Sequence, residues 1–172
     1  MTSITHTKKR IIAQTSLSAT PTHYVNTYYH REVYDKDSIN IAKVGNIWFA
    51  NDFKSTATKD YNFNIAGITK KNIFISIGLA SISSANAQFT ISINKQNSFQ
   101  QVCYNNSRIT ANYRQFIPTS GNIVIGVNYN LPTITSVGYL DYIEIHATCS
   151  LAQNKGQVDF RNPEIVGNGN IA

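Results

Sequence analysis

Hydrophobic and polar positions alternate along much of the chain, with the period of two that is typical of strands with one buried face. The clearest rows of alternating apolar residues begin at Tyr61, Ile73, Phe89 and Ile123. No long stretch repeats its apolar residues at helical spacing, which argues against the crossover helices that parallel sheets require. We therefore predict an all-β protein with antiparallel sheets.

Turn-forming residues divide this pattern into short strands. Residues 100–116 predict two strands interrupted near Asn105, VGYLDYIEIHATCS (137–150) predicts a long strand, and QVDFRN (157–162) predicts another. Residues 35–55 mix turn formers with a short apolar stretch and support no assignment. The segment from Ser83 to Asn86 has the length of a hairpin connection, so we expect the strands on either side of it to pair.

About eight short strands without an internal repeat favour a β-sandwich of the jelly-roll type. An immunoglobulin-like sandwich is the alternative, although it usually needs fewer residues. A chain of 172 residues fits one domain. Residues 1–21 are rich in Ser and Thr and predict a flexible lead-in, which leaves residues 22–172 as the sandwich domain.

Composition and charge exclude several classes of partner. The net charge is +6 with only 14% charged residues, and the cations are scattered rather than arranged in the basic stripe that nucleic-acid binding needs. No window approaches the roughly 20 apolar residues of a membrane span. The apolar run Ile11-Ile12-Ala13 is too short for a signal peptide, so we expect either a cytosolic protein or an internal piece of a longer one.

The last long strand holds a histidine and a cysteine three residues apart. On a regular strand, Cys149 shares one face with Ile143 and Ile145, whereas His146 lies on the other face near Glu144. A thiolate–imidazole dyad requires contact between the two groups, so we predict a core cysteine and a solvent-facing histidine. By the same rule Asp141 and Glu144 lie on opposite faces and cannot act as a catalytic pair.

The cysteines, histidines and acidic residues match no known metal-binding motif. Cys103 and Cys149 are the two cysteines, and they are either free thiols or partners in a disulfide. The histidines lack the spacing of a zinc site. The stretch that begins at Asp35 has the acidic opening of a calcium loop, but Asn40 and Asn46 replace its glycine and glutamate. No catalytic template of a known hydrolase or phosphate-binding loop occurs, and we predict neither a metal nor a cofactor.

Three aromatic residues are the remaining candidates for ligand contact. Trp48, Tyr28 and Tyr29 either stack on a sugar at the surface or anchor their segments to the core. The first option defines a second functional hypothesis, a carbohydrate-binding jelly-roll module.

Three stretches, taken in order, resemble one known family. They are YYHREVYDKDSINIAKVGNIWFANDF, VGYLDYIEIHA and QVDFRNPEIVGNGNIA. They are similar to segments of the type IX secretion system sortases, the gingipain-like cysteine peptidases of Bacteroidetes, in the region before the peptidase domain. The chain departs from that pattern at Asn46 and Ile47, where the family tends to have Arg-Glu, and at Ala50, where it has glycine.

The resemblance implies a role without catalysis. The family's catalytic histidine is followed by glycine, and none of the four histidines here is. The resemblance therefore implies an accessory β-domain of an exported parent protein at the outer membrane or cell surface. Its implied partners are the downstream peptidase domain and other secretion components, with a glycan as the partner under the carbohydrate-binding hypothesis.

Overall fold

The structure, a computed structural model, describes residues 24–41, 43, 45–54 and 57–151. Within these segments the chain forms antiparallel β-strands and no helix that could cross a membrane. The strands are β1 (Thr27–Asp35), β2 (Asn51–Asp52), β3 (Thr58–Asn64), β4 (Ile73–Ile82), β5 (Ala87–Ile93), β6 (Asn97–Cys103), β7 (Arg108–Phe116), β8 (Asn122–Asn130) and β9 (Val137–Ser150).

The strands form two sheets packed as a β-sandwich. One sheet has the order β1-β9-β4-β7, with β2 also pairing with β9, and the other has the order β3-β8-β5-β6. All pairings are antiparallel. The all-β, jelly-roll-like sandwich predicted from the period-2 pattern is confirmed.

Alternating side chains of both sheets fill the space between them. Phe89, Ile91 and Ile93 of β5 are fully buried, as the strict alternation of that segment predicts. Tyr129 of β8 is also fully buried, with its ring 4.9 Å from the ring of Phe89. Its hydroxyl has a polar partner inside the core, because it lies 2.8 Å from the Ser81 hydroxyl.

The expected pairing of the strands around Ser83–Asn86 is wrong. β4 pairs with β7 and β9 in one sheet, whereas β5 pairs with β6 and β8 in the other. The connection therefore crosses from one layer to the other instead of closing a hairpin. Two hydrogen bonds hold Ser83 in this connection. Its backbone N–H donates to the Asn106 side chain, and its hydroxyl lies 2.9 Å from that of Ser136.

A β-bulge interrupts the alternation within β9. Leu79 of β4 faces Leu140, but Ile77 faces Ile143, so two residues of β9, Asp141 and Tyr142, lie opposite one residue of β4. A bulge of this kind places one extra residue in the strand and turns the following side chains to the other face. Leu140 and Ile143 consequently both point into the core, where both are fully buried.

Several expectations fall outside the described residues. These are the lead-in at residues 1–21, the strand at 157–162 and the third stretch that resembles the sortase family, residues 157–172.

Candidate functional site

Cys149 and His146 are on opposite faces of the sheet, as predicted. Cys149 is fully buried in the core, and burial raises the pKa of its thiol, an effect that a hydrogen bond with Tyr28 partly offsets. His146 lies on the outer face, with Nε2 2.7 Å from Glu144 Oε1. A protonated thiol inside the core is a poor nucleophile, and the histidine cannot activate it from the other side of the sheet.

The alternative in which Cys103 and Cys149 form a disulfide is not realised, since both are free in the structure. The Cys103 thiol donates to the Ser107 carbonyl at 3.2 Å, and the Ser81 N–H donates to the same carbonyl. Ser81 faces Gly138 near the start of β9. Cys149 lies at the other end of that strand, roughly 35 Å away at about 3.3 Å per residue, whereas a disulfide needs Cα atoms within about 7 Å.

The prediction that Asp141 and Glu144 occupy opposite faces is wrong. The bulge resets the alternation between them, so that Asp141 binds Arg108 and Glu144 binds Arg31 on the same outer face of the β1-β9-β4-β7 sheet. A signal was present in the sequence, because the large apolar residues Leu140 and Ile143 are three apart in a row that otherwise has a spacing of two. Each carboxylate is paired with its own arginine.

Glu144 is held as a carboxylate by its neighbours. The hydrogen bond from Arg31 lowers its pKa most, burial opposes this, and His146 lowers it further. A lowered pKa in the folded state gives stabilisation that is present at neutral pH and is lost as the pH falls through that pKa. Arg31 is largely exposed, so solvent weakens the contribution to stability.

Replacing Arg31 tests this network. In Arg31→Gln we expect the pKa of Glu144 to rise towards its ordinary value, measured by NMR titration of the side-chain carboxyl. The matched control is Arg108→Gln, because Arg108 contacts Asp141 instead and should leave the Glu144 titration unchanged. Equal titration of Glu144 in the wild type and Arg31→Gln would contradict the assigned cause.

The three aromatic candidates do not form a single platform. Tyr28 and Tyr29 are neighbours on β1 and point to opposite faces: Tyr28 packs against the core and Tyr29 is 49% exposed. Trp48 is 40% exposed and adjoins Phe49, which packs on Tyr139 near the start of β9. Tyr29 faces Thr148, so roughly 30 Å of strand separate it from that region. Any ligand contact by these residues would be made singly.

A groove on the outer face of the same sheet consists of two depressions that share Arg108. Its first half is a depression of about 290 Å³ lined by Gly78, Arg108, Thr110, Asp141 and Tyr142. A Cβ on Gly78 would lie 2.6 Å from the Tyr142 ring, so glycine is needed for the tyrosine to lie across β4. The Tyr142 hydroxyl is 3.4 Å from that of Ser76. We call this half the bowl.

The second half adjoins the bowl at Arg108 and is mainly apolar. It has a volume of about 210 Å³, and Ile47, Phe49, Ala80 and Ile82 contribute its apolar lining. The Arg108 guanidinium lies over the Phe49 ring, 5.6 Å from its centre, and also binds Asp141. We call this half the shelf and the whole the Arg108 groove. The sequence pattern gives no sign of this groove, because its walls come from β4, β7, β9 and the β1–β2 loop.

No group of three or more His, Cys, Asp or Glu residues in the described segments is arranged to hold a metal ion. Of the stretch similar to a calcium loop, Asp35 and Asp37 are exposed. The Asn40 side-chain amide donates to the Gly45 carbonyl at 3.3 Å.

Comparison with known proteins yields structural matches only. No family model matches the chain, and no curated protein matches it. Dimeric latent PorU from Porphyromonas gingivalis shares the fold, with 11% identity and a TM-score of 0.64 over 86% of this chain and 15% of that chain. The chain thus spans a small part of PorU.

Weaker matches come from carbohydrate-binding modules. The CBM36-1 domain of a multidomain xylanase from the hindgut metagenome of Trinervitermes trinervoides has 12% identity and a TM-score of 0.48, over 74% of this chain and 100% of that domain. A CBM36 module in complex with calcium and xylotriose has 19% identity and a TM-score of 0.39, over 51% of this chain and 71% of that one. These likenesses concern the β-sandwich fold.

Proposed function

We propose that this chain is a non-catalytic accessory domain of a PorU-like, gingipain-type peptidase of the type IX secretion system. In this role it acts through protein contacts, either by positioning the downstream peptidase domain or by binding other secretion components. The parent protein is exported and works at the outer membrane or cell surface. The observation that carries the proposal is the match to PorU over 86% of the chain.

Two further observations support the proposal. The ordered stretches that begin at Tyr28 and Val137 resemble the region before the peptidase domain in that family, and both begin on described strands of the sandwich. The nucleophile and base that a cysteine peptidase needs are separated by the sheet in the one place where Cys and His are close in sequence. A scaffold of this kind contributes surfaces and not reacting groups.

Activity and contact measurements test the two parts of the proposal separately. We expect the purified chain to leave fluorogenic peptide substrates intact, with Cys149→Ala and His146→Ala indistinguishable from the wild type. Hydrolysis that disappears in Cys149→Ala would overturn the non-catalytic role. In the full parent protein, lysine-directed cross-links should join this domain to the peptidase domain or a secretion component, and a domain that cross-links to neither would overturn the contact role.

The downstream reading frame provides a further check. Under the proposal it encodes an α/β domain with a histidine followed by glycine and a nucleophilic cysteine. A reading frame without those residues would remove the link to the peptidase family.

The carbohydrate-binding alternative is favoured by one observation, the Arg108 groove, which combines an aromatic ring with polar and apolar walls. A glycan array probed with the purified chain tests it. Binding to at least one class of glycan supports the alternative, and silence across the array removes it.

A further inference from the structure

The polar groups of the bowl are restrained by contacts with neighbouring side chains. Arg108 is restrained on two sides, by Asp141 through their ion pair and by Phe49 under its guanidinium. Asp141 is itself placed by the bulge, and Tyr142 lies over the bare backbone of Gly78. Groups that are already ordered lose little conformational entropy when a ligand binds. The bowl is therefore suited to recognition without rearrangement.

The charge of the bowl selects for a neutral ligand. Its described charged groups are one guanidinium and one carboxylate that neutralise each other. An anionic ligand would meet Asp141 and a cationic ligand would meet Arg108 at close range. The pair nevertheless offers donors and acceptors side by side, since guanidinium only donates and carboxylate only accepts. A hydroxyl group can satisfy both, because it donates and accepts at once.

The walls add apolar surface on two sides of this pair. Tyr142 provides an aromatic ring beside it, and the carbon-bound hydrogens of a pyranose pack well on such rings while the sugar hydroxyls remain free to bond. The shelf continues past Arg108 with Ile47, Phe49 and Ile82. An aliphatic substituent that projects from a sugar ring would be removed from water there, and a volume of about 210 Å³ has room for the methyl group of an N-acetyl substituent.

From these features we propose that the Arg108 groove binds a neutral oligosaccharide that contains N-acetylhexosamine. The hydroxyls pair with Arg108 and Asp141, the sugar ring packs on Tyr142, and the acetyl methyl enters the shelf. The two halves together have the size of small-ligand sites, roughly 300 to 1,000 Å³. This inference deepens the carbohydrate-binding alternative and rests on it, and it is independent of the accessory-domain proposal.

Titration with two neutral trisaccharides tests the ligand class. Chitotriose and cellotriose differ in the N-acetyl group, and binding of each is followed by calorimetry and by NMR shifts. We expect chitotriose to bind at least about tenfold more tightly, a factor equivalent to about 1.4 kcal/mol. Equal binding would overturn the role of the shelf, and binding of neither sugar would overturn the proposal.

Two variants and one control locate the site. Tyr142→Ala and Asp141→Asn should each weaken chitotriose binding at least about tenfold, with the thermal transition close to that of the wild type because both side chains lie on the outer face. Tyr29→Ala is the matched control, an exposed tyrosine of the same face roughly 20 Å along the strands, and it should bind normally.

The remaining outcomes separate the site from the function. Array binding to any glycan that Tyr142→Ala leaves unchanged would overturn the groove assignment while the carbohydrate-binding alternative stands. A loss of chitotriose binding in Tyr29→Ala but not in Tyr142→Ala would overturn it as well, in favour of the Tyr29 surface. The expected cross-links in the full parent protein, together with no sugar binding, would overturn this inference and leave the accessory-domain proposal intact.

Discussion

Replacing Tyr129 with alanine should lower the free energy of unfolding by about 4 kcal/mol, since removal of a buried aromatic side chain leaves a cavity that the core cannot fill. Tyr129 is fully buried, packs on Phe89 and Phe53, and contacts the backbone of Gly138 so closely that a Cβ there would lie 2.6 Å from its ring. The change also deprives the Ser81 hydroxyl of its partner at 2.8 Å. Urea unfolding followed by fluorescence measures the effect.

The variant Tyr129→Phe separates packing from hydrogen bonding. It keeps the ring and removes only the hydroxyl, so we expect a loss of about 1 kcal/mol, the net value of a typical buried hydrogen bond. Burial raises the pKa of the Tyr129 hydroxyl, with the hydrogen bonds to Ser81 and Ser136 as opposing effects. If the two variants were equally stable, the ring would not be the main contributor at this position.

Replacing Gly121 with alanine should cost about 3 kcal/mol, at the upper end of the range for overpacked sites. A Cβ at this position would lie 2.3 Å from the backbone carbonyl oxygen of Ile65. The Ile65 N–H donates to the Gly121 carbonyl at 2.9 Å. Rotation of a side chain cannot relieve a contact with the backbone. The backbone segments at Ile65 and Gly121 therefore have to move apart.

Gly45→Ala is the matched control for steric contact. Gly45 has φ of +83°, and a Cβ there would meet nothing within 4 Å. Only backbone strain remains, about 1 to 2 kcal/mol for a left-handed alanine. Thermal and urea unfolding of both variants should therefore rank Gly121→Ala as the less stable protein. The reverse order would show that the contact with Ile65 relaxes at little cost.

The buried face of a regularly alternating strand was readable from sequence because burial follows a local period. In β5 every second residue is apolar, and those residues are fully buried. The partner of a strand is not local information. The four residues from Ser83 to Asn86 fit a hairpin or a crossing between layers equally well, and only packing of the whole core selects the crossing.

Most of the candidate site could not be predicted from the sequence, for a related reason. Gly78, Arg108 and Asp141 are distant in sequence and become neighbours only through the pairing of β4 with β7 and β9. Their juxtaposition also needs the bulge, which a strict period of two excludes. The separation of His146 from Cys149 was predictable, because the pairing of β9 with β1 is regular between them.

The pairing of β1 with β9 has a mechanical consequence. Thr27 faces Ser150, and the Leu151 N–H donates to the Asn26 carbonyl at 2.8 Å, so the first and last described strands meet at one end of the sandwich. A pulling force applied across Asn26 and Leu151 breaks the hydrogen bonds between β1 and β9 one after another. The bonds are not loaded together, as they would be in shear. The domain should therefore yield at low tension.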